Sequence, residues 1–148
     1  MSRFLFAYFS LIPGLFISCS RSTKLFEKVS SSQSGIHFRN DITENDSMNI
    51  IDLENIYNGG GVGIADFNND GLPDIYFTGN MVTNKLYLNK GNLKFEDITS
   101  IAGVDGEGKW SRGISIVDIN QDGLPDMYIS ETIIKDSIKR ENILYINK

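Results

Sequence analysis

Asp66-Phe67-Asn68-Asn69-Asp70-Gly71-Leu72-Pro73-Asp74 and Asp118-Ile119-Asn120-Gln121-Asp122-Gly123-Leu124-Pro125-Asp126 share one pattern, D-x-N-x-D-G-L-P-D, set 52 residues apart. In a tightly coiled loop the side chains at positions 1, 3 and 5 point into one small cavity, and in the first copy these are Asp66, Asn68 and Asp70. Gly71 at position 6 permits the sharp turn, because Gly reaches positive φ at little cost. The carbonyl of Leu72 at position 7 supplies a further oxygen. This is the first half of an EF-hand loop. The second half departs from it: position 12 holds Phe77 or Ile129, where an EF-hand requires Glu. Both copies carry Asp at position 9 instead, Asp74 and Asp126, and Asp74 is placed to close the oxygen shell of a shorter loop.

The electrostatics point the same way. Converging carboxylates repel one another unless a cation sits between them. The donors are all hard oxygens, which favours Ca²⁺, with Mg²⁺ second. Neither loop holds His or Cys, which disfavours zinc. The competing reading is that Asp, Asn and Gly merely make β-turns; the matched spacing and the shared Leu-Pro-Asp ending speak against it.

Strand signals flank both loops. Val62 and Ile64 alternate before the first, Ile114 and Ile116 before the second; Ile75-Tyr76-Phe77 and Met127-Tyr128-Ile129 follow. Strand, tight loop, strand is a hairpin with a cation at its tip, and no helical stripe flanks either loop. The repeat extends further. Asn84-Lys85-Leu86-Tyr87-Leu88-Asn89-Lys90 recurs as Asn142-Ile143-Leu144-Tyr145-Ile146-Asn147-Lys148, now 58 residues on, so the second unit has an insertion, placed at the polar residues 135–141 as a surface loop. A third echo runs backward: Phe26-Glu27-Lys28-Val29-Ser30 matches Phe95-Glu96-Asp97-Ile98-Thr99, and Gly35-Ile36 matches Gly103-Val104. About four short strands per period of roughly fifty residues is the scale of a β-propeller blade.

The D-x-N-x-D-G-x-x-D loop, with Leu-Tyr-Leu-Asn and Phe-Glu-Asp-Ile-Thr on either side, resembles the FG-GAP/VCBS repeat, which also builds the integrin α-subunit propeller. The run from Phe95 through Ala102-Gly103-Val104, and Gly61-Val62-Gly63-Ile64-Ala65 leading into the first loop, is especially similar to the cartilage-acidic-protein-like (CRTAC/ASPIC) type. The resemblance covers residues 25–148. It implies an all-β chain of propeller blades with Ca²⁺ in two hairpins. The ligands would be Asp66, Asn68, Asp70, the Leu72 carbonyl and Asp74, and in the second Asp118, Asn120, Asp122, the Leu124 carbonyl and Asp126. A closed propeller needs at least four blades. The chain is therefore expected to hold an incomplete propeller, either as part of a longer protein or as a short chain that assembles with copies of itself or a partner.

The N-terminus suggests export. Met1-Ser2-Arg3 precedes an apolar run over residues 4–17, too short for a bilayer span of about twenty residues but suited to a signal peptide. It ends at Ser18-Cys19-Ser20, and a lone Cys there resembles a bacterial lipobox, with Phe16 where Leu is usual. The expected organisation is a signal peptide over 1–18, a lipid anchor at Cys19, a tether and first half-blade strand over 19–34, and repeats over 35–148. The destination would be the outer membrane or cell surface, or otherwise the secreted space. Oxygen-only calcium sites are filled where Ca²⁺ is near millimolar. A net charge of −5 argues against a nucleic-acid surface.

Catalytic signals are thin. His37 is the sole His and has no nucleophile beside it. Gly59-Gly60-Gly61 lacks the Lys-Ser/Thr of a phosphate loop and reads as flexible or close-packed backbone entering a strand. Trp110 either stacks on a ligand such as a sugar or packs between blades. The expected function is a non-catalytic calcium-binding module for a protein or glycan ligand, with a surface complex as a possible setting. The alternative is the N-terminal part of a larger glycan-directed enzyme whose catalytic residues lie outside this chain.

Overall fold

A computed structural model describes residues 24–132 and 140–148. The expected signal peptide, Cys19 and most of the 135–141 insertion lie outside the described residues. The fold is all-β apart from two single-turn helices. Four strands, β1 (Val62–Ala65), β2 (Asp74–Phe77), β3 (Lys85–Asn89) and β4 (Phe95–Asp97), form an antiparallel meander in the order β1-β2-β3-β4. Three more, β5 (Ser111–Val117), β6 (Asp126–Glu131) and β7 (Ile143–Tyr145), form a second meander in the order β5-β6-β7. Each D-x-N-x-D-G-L-P-D stretch is the tip of a hairpin, with Ala65 opposite Asp74 and Val117 opposite Asp126.

The helices occupy matching places. Helix α1 (Ser31–Ser34) starts at a capping box of Ser30 and Gln33, and helix α2 (Thr99–Ala102) follows β4; each ends on a left-handed Gly, Gly35 or Gly103. The Phe26-Glu27-Lys28 stretch, expected as a half-blade strand, forms no strand, because no sheet edge lies beside it among the described residues. Phe26 is 89% exposed.

The core lies between the two sheets. Strand alternation aims Tyr76 and Leu86 from the first unit at Met127, Ile129 and Ile143 from the second, and Phe67 of the first loop and Val104 pack in the same cluster. Gly61 and Gly63 are small because the next unit lies against them: a Cβ on Gly63 would meet Ile114 Cδ1 at 2.8 Å, and one on Gly61 would meet the Arg112 carbonyl at 2.7 Å. The glycine run is close-packed at these positions, as one of its two readings had it. Polar clasps join the units: Tyr76 Oη donates to the Val104 carbonyl (2.7 Å), Thr78 Oγ1 to the Arg112 carbonyl (2.8 Å) and Asn80 Nδ2 to the Ser111 carbonyl (3.0 Å). Trp110, 1% exposed, packs inside, which settles its role as a packing residue.

Glu131 is buried behind this seam. Its Oε1 accepts from Ser111 Oγ at 2.8 Å, while Oε2 has no partner among the described residues. Burial, only partly offset by Ser111 and by the charge of Lys109, raises its pKa above the ordinary 4.5. A raised acid binds its proton more tightly in the folded state, so its stabilising contribution is complete below pH 4.5 and is lost as pH rises through the folded pKa. The Glu131→Gln variant keeps an acceptor for Ser111 and is expected to lose this dependence. Urea midpoints measured from pH 4.5 to neutrality should fall less steeply than in the unmodified chain; parallel curves would show that Glu131 is not the group responsible.

Candidate metal sites in the paired loops

The two loops have the same internal hydrogen bonds. In the first, Asp66 Oδ1 accepts from the Asp70 N–H (3.0 Å) and Oδ2 from the Gly71 N–H (2.7 Å). Asn68 Oδ1 also accepts from the Asp70 N–H (3.2 Å), and Asp70 Oδ1 accepts from the Leu72 N–H (2.8 Å). In the second, Asp118 takes the Asp122 and Gly123 N–H groups at 3.1 and 2.9 Å, Asn120 takes Asp122 at 3.2 Å, and Asp122 takes Leu124 at 2.9 Å. The backbone reaches this coil through left-handed residues at positions 4 and 6: Asn69 (φ 57°) with Gly71 (φ 84°), and Gln121 (φ 61°) with Gly123 (φ 89°). Asn tolerates that region better than most side chains and Gly tolerates it freely.

The structure brings positions 1, 3 and 5 together. Asn68 Nδ2 lies 2.9 Å from Asp70 Oδ2, and Asn120 Nδ2 lies 2.7 Å from Asp122 Oδ2. Positions 3 and 5 are exposed in both loops. The Leu72 and Leu124 carbonyls accept no hydrogen bond among the described residues.

Position 9 is placed differently. Asp74 is fully buried beneath the loop, with Oδ2 accepting from the Phe67 N–H (2.9 Å) and Oδ1 from the Asn89 N–H (2.8 Å). Asp126, 1% exposed, takes the Ile119 and Asn147 N–H groups, both at 2.9 Å. Each position-9 carboxylate thus ties its loop to the third strand of its own sheet. Burial raises the Asp74 pKa; its two N–H donors oppose the rise, and the charges of Asp70 and Asp66 add to it. That repulsion is the quantity a bound cation relieves.

Among the described residues no three His, Cys, Asp or Glu side chains gather closely enough to hold a metal. A cation at the first loop would therefore rest on Asp66 and Asp70, the Asn68 amide oxygen and the Leu72 carbonyl, with the buried Asp74 charge below. Two carboxylates with neutral oxygens suit Ca²⁺, which accepts carbonyl and water ligands and flexible geometry. When bound, such an ion neutralises the acids and cross-links the hairpin tip.

Asn89 and Asn147 carry weight that their sequence positions hid. Beyond its backbone bond to Asp74, Asn89 Nδ2 reaches the Pro73 carbonyl at 3.0 Å; Asn147 Nδ2 reaches across to the Phe67 carbonyl of the other loop at 2.8 Å. The signal was present, since Asn ends both Leu-Tyr-Leu-Asn and Leu-Tyr-Ile-Asn. His37 enters the fold through its backbone N–H, given to Tyr87 Oη at 3.3 Å. No helix among the described residues is long and apolar enough to cross a membrane.

Known proteins share part of this sequence. The stretch is similar to cartilage acidic protein 1 of Xenopus tropicalis, 36% identical over 74 residues, and to that of Mus musculus, 33% identical over 69 residues. Those matches cover 49% and 47% of this chain, and 11% of the length of each relative. Residues 66–129 match the FG-GAP-like repeat, so the chain carries an FG-GAP-like repeat running from the first loop to the strand beyond the second.

Proposed function

We propose that this chain is an exported, non-catalytic repeat module that binds one Ca²⁺ in each of its two loops and presents its sheets to a protein or glycan at the cell surface. The observation that carries the reading is the duplicated hydrogen-bond pattern of Asp66, Asn68 and Asp70 in Asp118, Asn120 and Asp122, which pre-orients the same oxygens twice. Calcium here is a structural ion: it joins loop tips whose buried anchors, Asp74 and Asp126, already hold the hairpins. Export accords with the apolar leader and with sites of this chemistry filling near millimolar Ca²⁺. A lipid anchor at Cys19 would hold the module at the outer membrane.

Thermal unfolding tests the reading. A ligand at about one to ten times its Kd stabilises the folded state by about 0.4–1.4 kcal/mol per site. Millimolar Ca²⁺ is therefore expected to raise the Tm by several degrees relative to chelator, with a smaller response to Mg²⁺. Identical melting curves with calcium and with chelator would remove the basis of the proposal.

A further inference from the structure

We propose that Asn58-Gly59 is a self-modification site, at which the chain converts Asn58 to aspartate or isoaspartate and thereby loosens the seam between its two units. In four places an Asn or Asp precedes a Gly: Asn58-Gly59, Asp70-Gly71, Asp105-Gly106 and Asp122-Gly123. Each sets a side-chain carbonyl carbon beside a backbone nitrogen that no following side chain shields. The structure separates the four. The Gly71 N–H donates to Asp66 Oδ2 at 2.7 Å, the Gly123 N–H to Asp118 Oδ2 at 2.9 Å and the Gly106 N–H to Tyr145 Oη at 3.3 Å. In those places an attack by the nitrogen would first have to break a hydrogen bond. The Gly59 N–H donates to no acceptor among the described residues. Asn58 is exposed, and the space where a Gly59 side chain would stand is open. The Asn58 turn is held by its N–H to the Asn55 carbonyl (3.2 Å) and by Nδ2 to Asn55 Oδ1 (3.0 Å), and neither bond occupies the Gly59 nitrogen. Asn58 also offers a neutral amide, whereas an ionised Asp carboxylate repels an incoming lone pair.

The reaction balances with water as its sole co-reactant. The Gly59 nitrogen bonds to Asn58 Cγ as the Cγ–Nδ2 bond breaks, and the proton from Gly59 leaves with Nδ2 as ammonia. The product is a cyclic imide. Water opens it at Cγ to give aspartate, or at the backbone carbonyl to give isoaspartate, in which the chain runs on through the former side chain. No group is oxidised or reduced.

The site lies between two anchors, and both reach Arg112 of the second unit. On one side Ile56 is fully buried, and the Asn55 carbonyl accepts from the Arg112 guanidinium. On the other, Gly61 donates its N–H to Thr78 Oγ1 and accepts from the Thr78 N–H at 3.0 Å, and Thr78 Oγ1 donates to the Arg112 carbonyl at 2.8 Å. A Cβ on Gly60 would collide with the Thr78 carbonyl, so the backbone there has no room to shift. Isoaspartate lengthens the chain between these anchors by a backbone carbon, and the extra length must be absorbed at one of them. Either product also removes the Nδ2 donor from Asn55 and adds a carboxylate. Residues 41–58 already carry Asp41, Glu44, Asp46, Asp52 and Glu54 and no Lys or Arg, so the new charge meets repulsion.

Prolonged incubation of the full chain at mildly alkaline pH, followed by peptide mass spectrometry, tests the proposal. The expected result is conversion at Asn58 ahead of every other Asn and of the three Asp-Gly sequences, with isoaspartate separating as a second peptide of the same mass as the aspartate product. Conversion should quicken as pH rises, because the attacking nitrogen must lose its proton. Asn58→Gln sets the carbonyl carbon a bond farther from that nitrogen and is expected to react at least about tenfold more slowly. The aged chain should unfold at a lower urea concentration than the fresh one, while aged Asn58→Gln keeps its midpoint. Asn58→Asp, which adds the charge without the longer backbone, should lose less than the aged chain. An Asn58 that stays intact, or converts no faster than the other sites, overturns the proposal. So does conversion at Asn58 that leaves the urea midpoint where it was, a comparison of fresh and aged chain that needs no variant. Calcium binding is measured separately, so failure here leaves the loop reading standing.

Discussion

Replacing Asp74 by Ala will destabilise the chain by about 3 kcal/mol, one of the two largest single-residue losses expected in this fold. The carboxylate is fully buried and receives the Phe67 and Asn89 N–H groups at 2.9 and 2.8 Å. Truncation leaves both backbone donors without an acceptor, and each buried orphan costs about 1–3 kcal/mol. Relief of the buried charge offsets part of that, in keeping with the upward shift that burial imposes on the Asp74 pKa. At this chain length the loss corresponds to roughly 6–12 °C in Tm. Asp74→Asn should fall between the two, since its amide keeps one acceptor and turns a donor toward the other N–H. Asp126→Ala should lose less than Asp74→Ala, because the Ile119 N–H that Asp126 holds is only partly buried, whereas the Phe67 N–H that Asp74 holds is buried. Urea denaturation without calcium measures all three. A loss below about 1 kcal/mol for Asp74→Ala would mean that position 9 does not anchor the hairpin.

The second large effect is at Trp110. It is 1% exposed, and the N–H of the next residue, Ser111, donates to the Gly79 carbonyl at 3.0 Å, which places Trp110 where the second unit meets the first. Removing a buried Trp side chain costs about 3–5 kcal/mol in lost transfer energy and residual cavity. Trp110→Phe should cost far less, because Nε1 has no hydrogen-bond partner among the described residues and only volume is lost. Equilibrium unfolding followed by circular dichroism orders the three proteins. If Trp110→Ala were as stable as the unmodified chain, the residue would be a surface platform and not part of the core.

Much of the fold was legible because it is written twice. Residues flanking one loop could be checked against those 52 positions on, and the strands around Tyr76, Leu86, Met127 and Leu144 lie where the pattern put them. The loop turns were legible because positive φ at position 6 calls for Gly. What repetition hides is environment. Tyr76 and Tyr128 occupy the same place in the pattern, yet one is buried under the next unit and the other is 41% exposed. The depth of Asp74 and Asp126 was hidden for a similar reason. An Asp in a polar loop looks like any other, and only the third strand, arriving through Asn89 or Asn147, encloses it. Phe26 had the letters of a strand but, among the described residues, no neighbouring edge to pair with.

The most direct measurement of the central claim, that each loop holds one cation, is calorimetric titration of the chain with Ca²⁺. Two ions per chain should bind, with Kd values on the order of 10⁻⁴–10⁻³ M. One should be lost in Asp70→Ala, one in Asp122→Ala, and both in the double variant. No binding heat at millimolar Ca²⁺, or two ions retained by the double variant, would contradict the account.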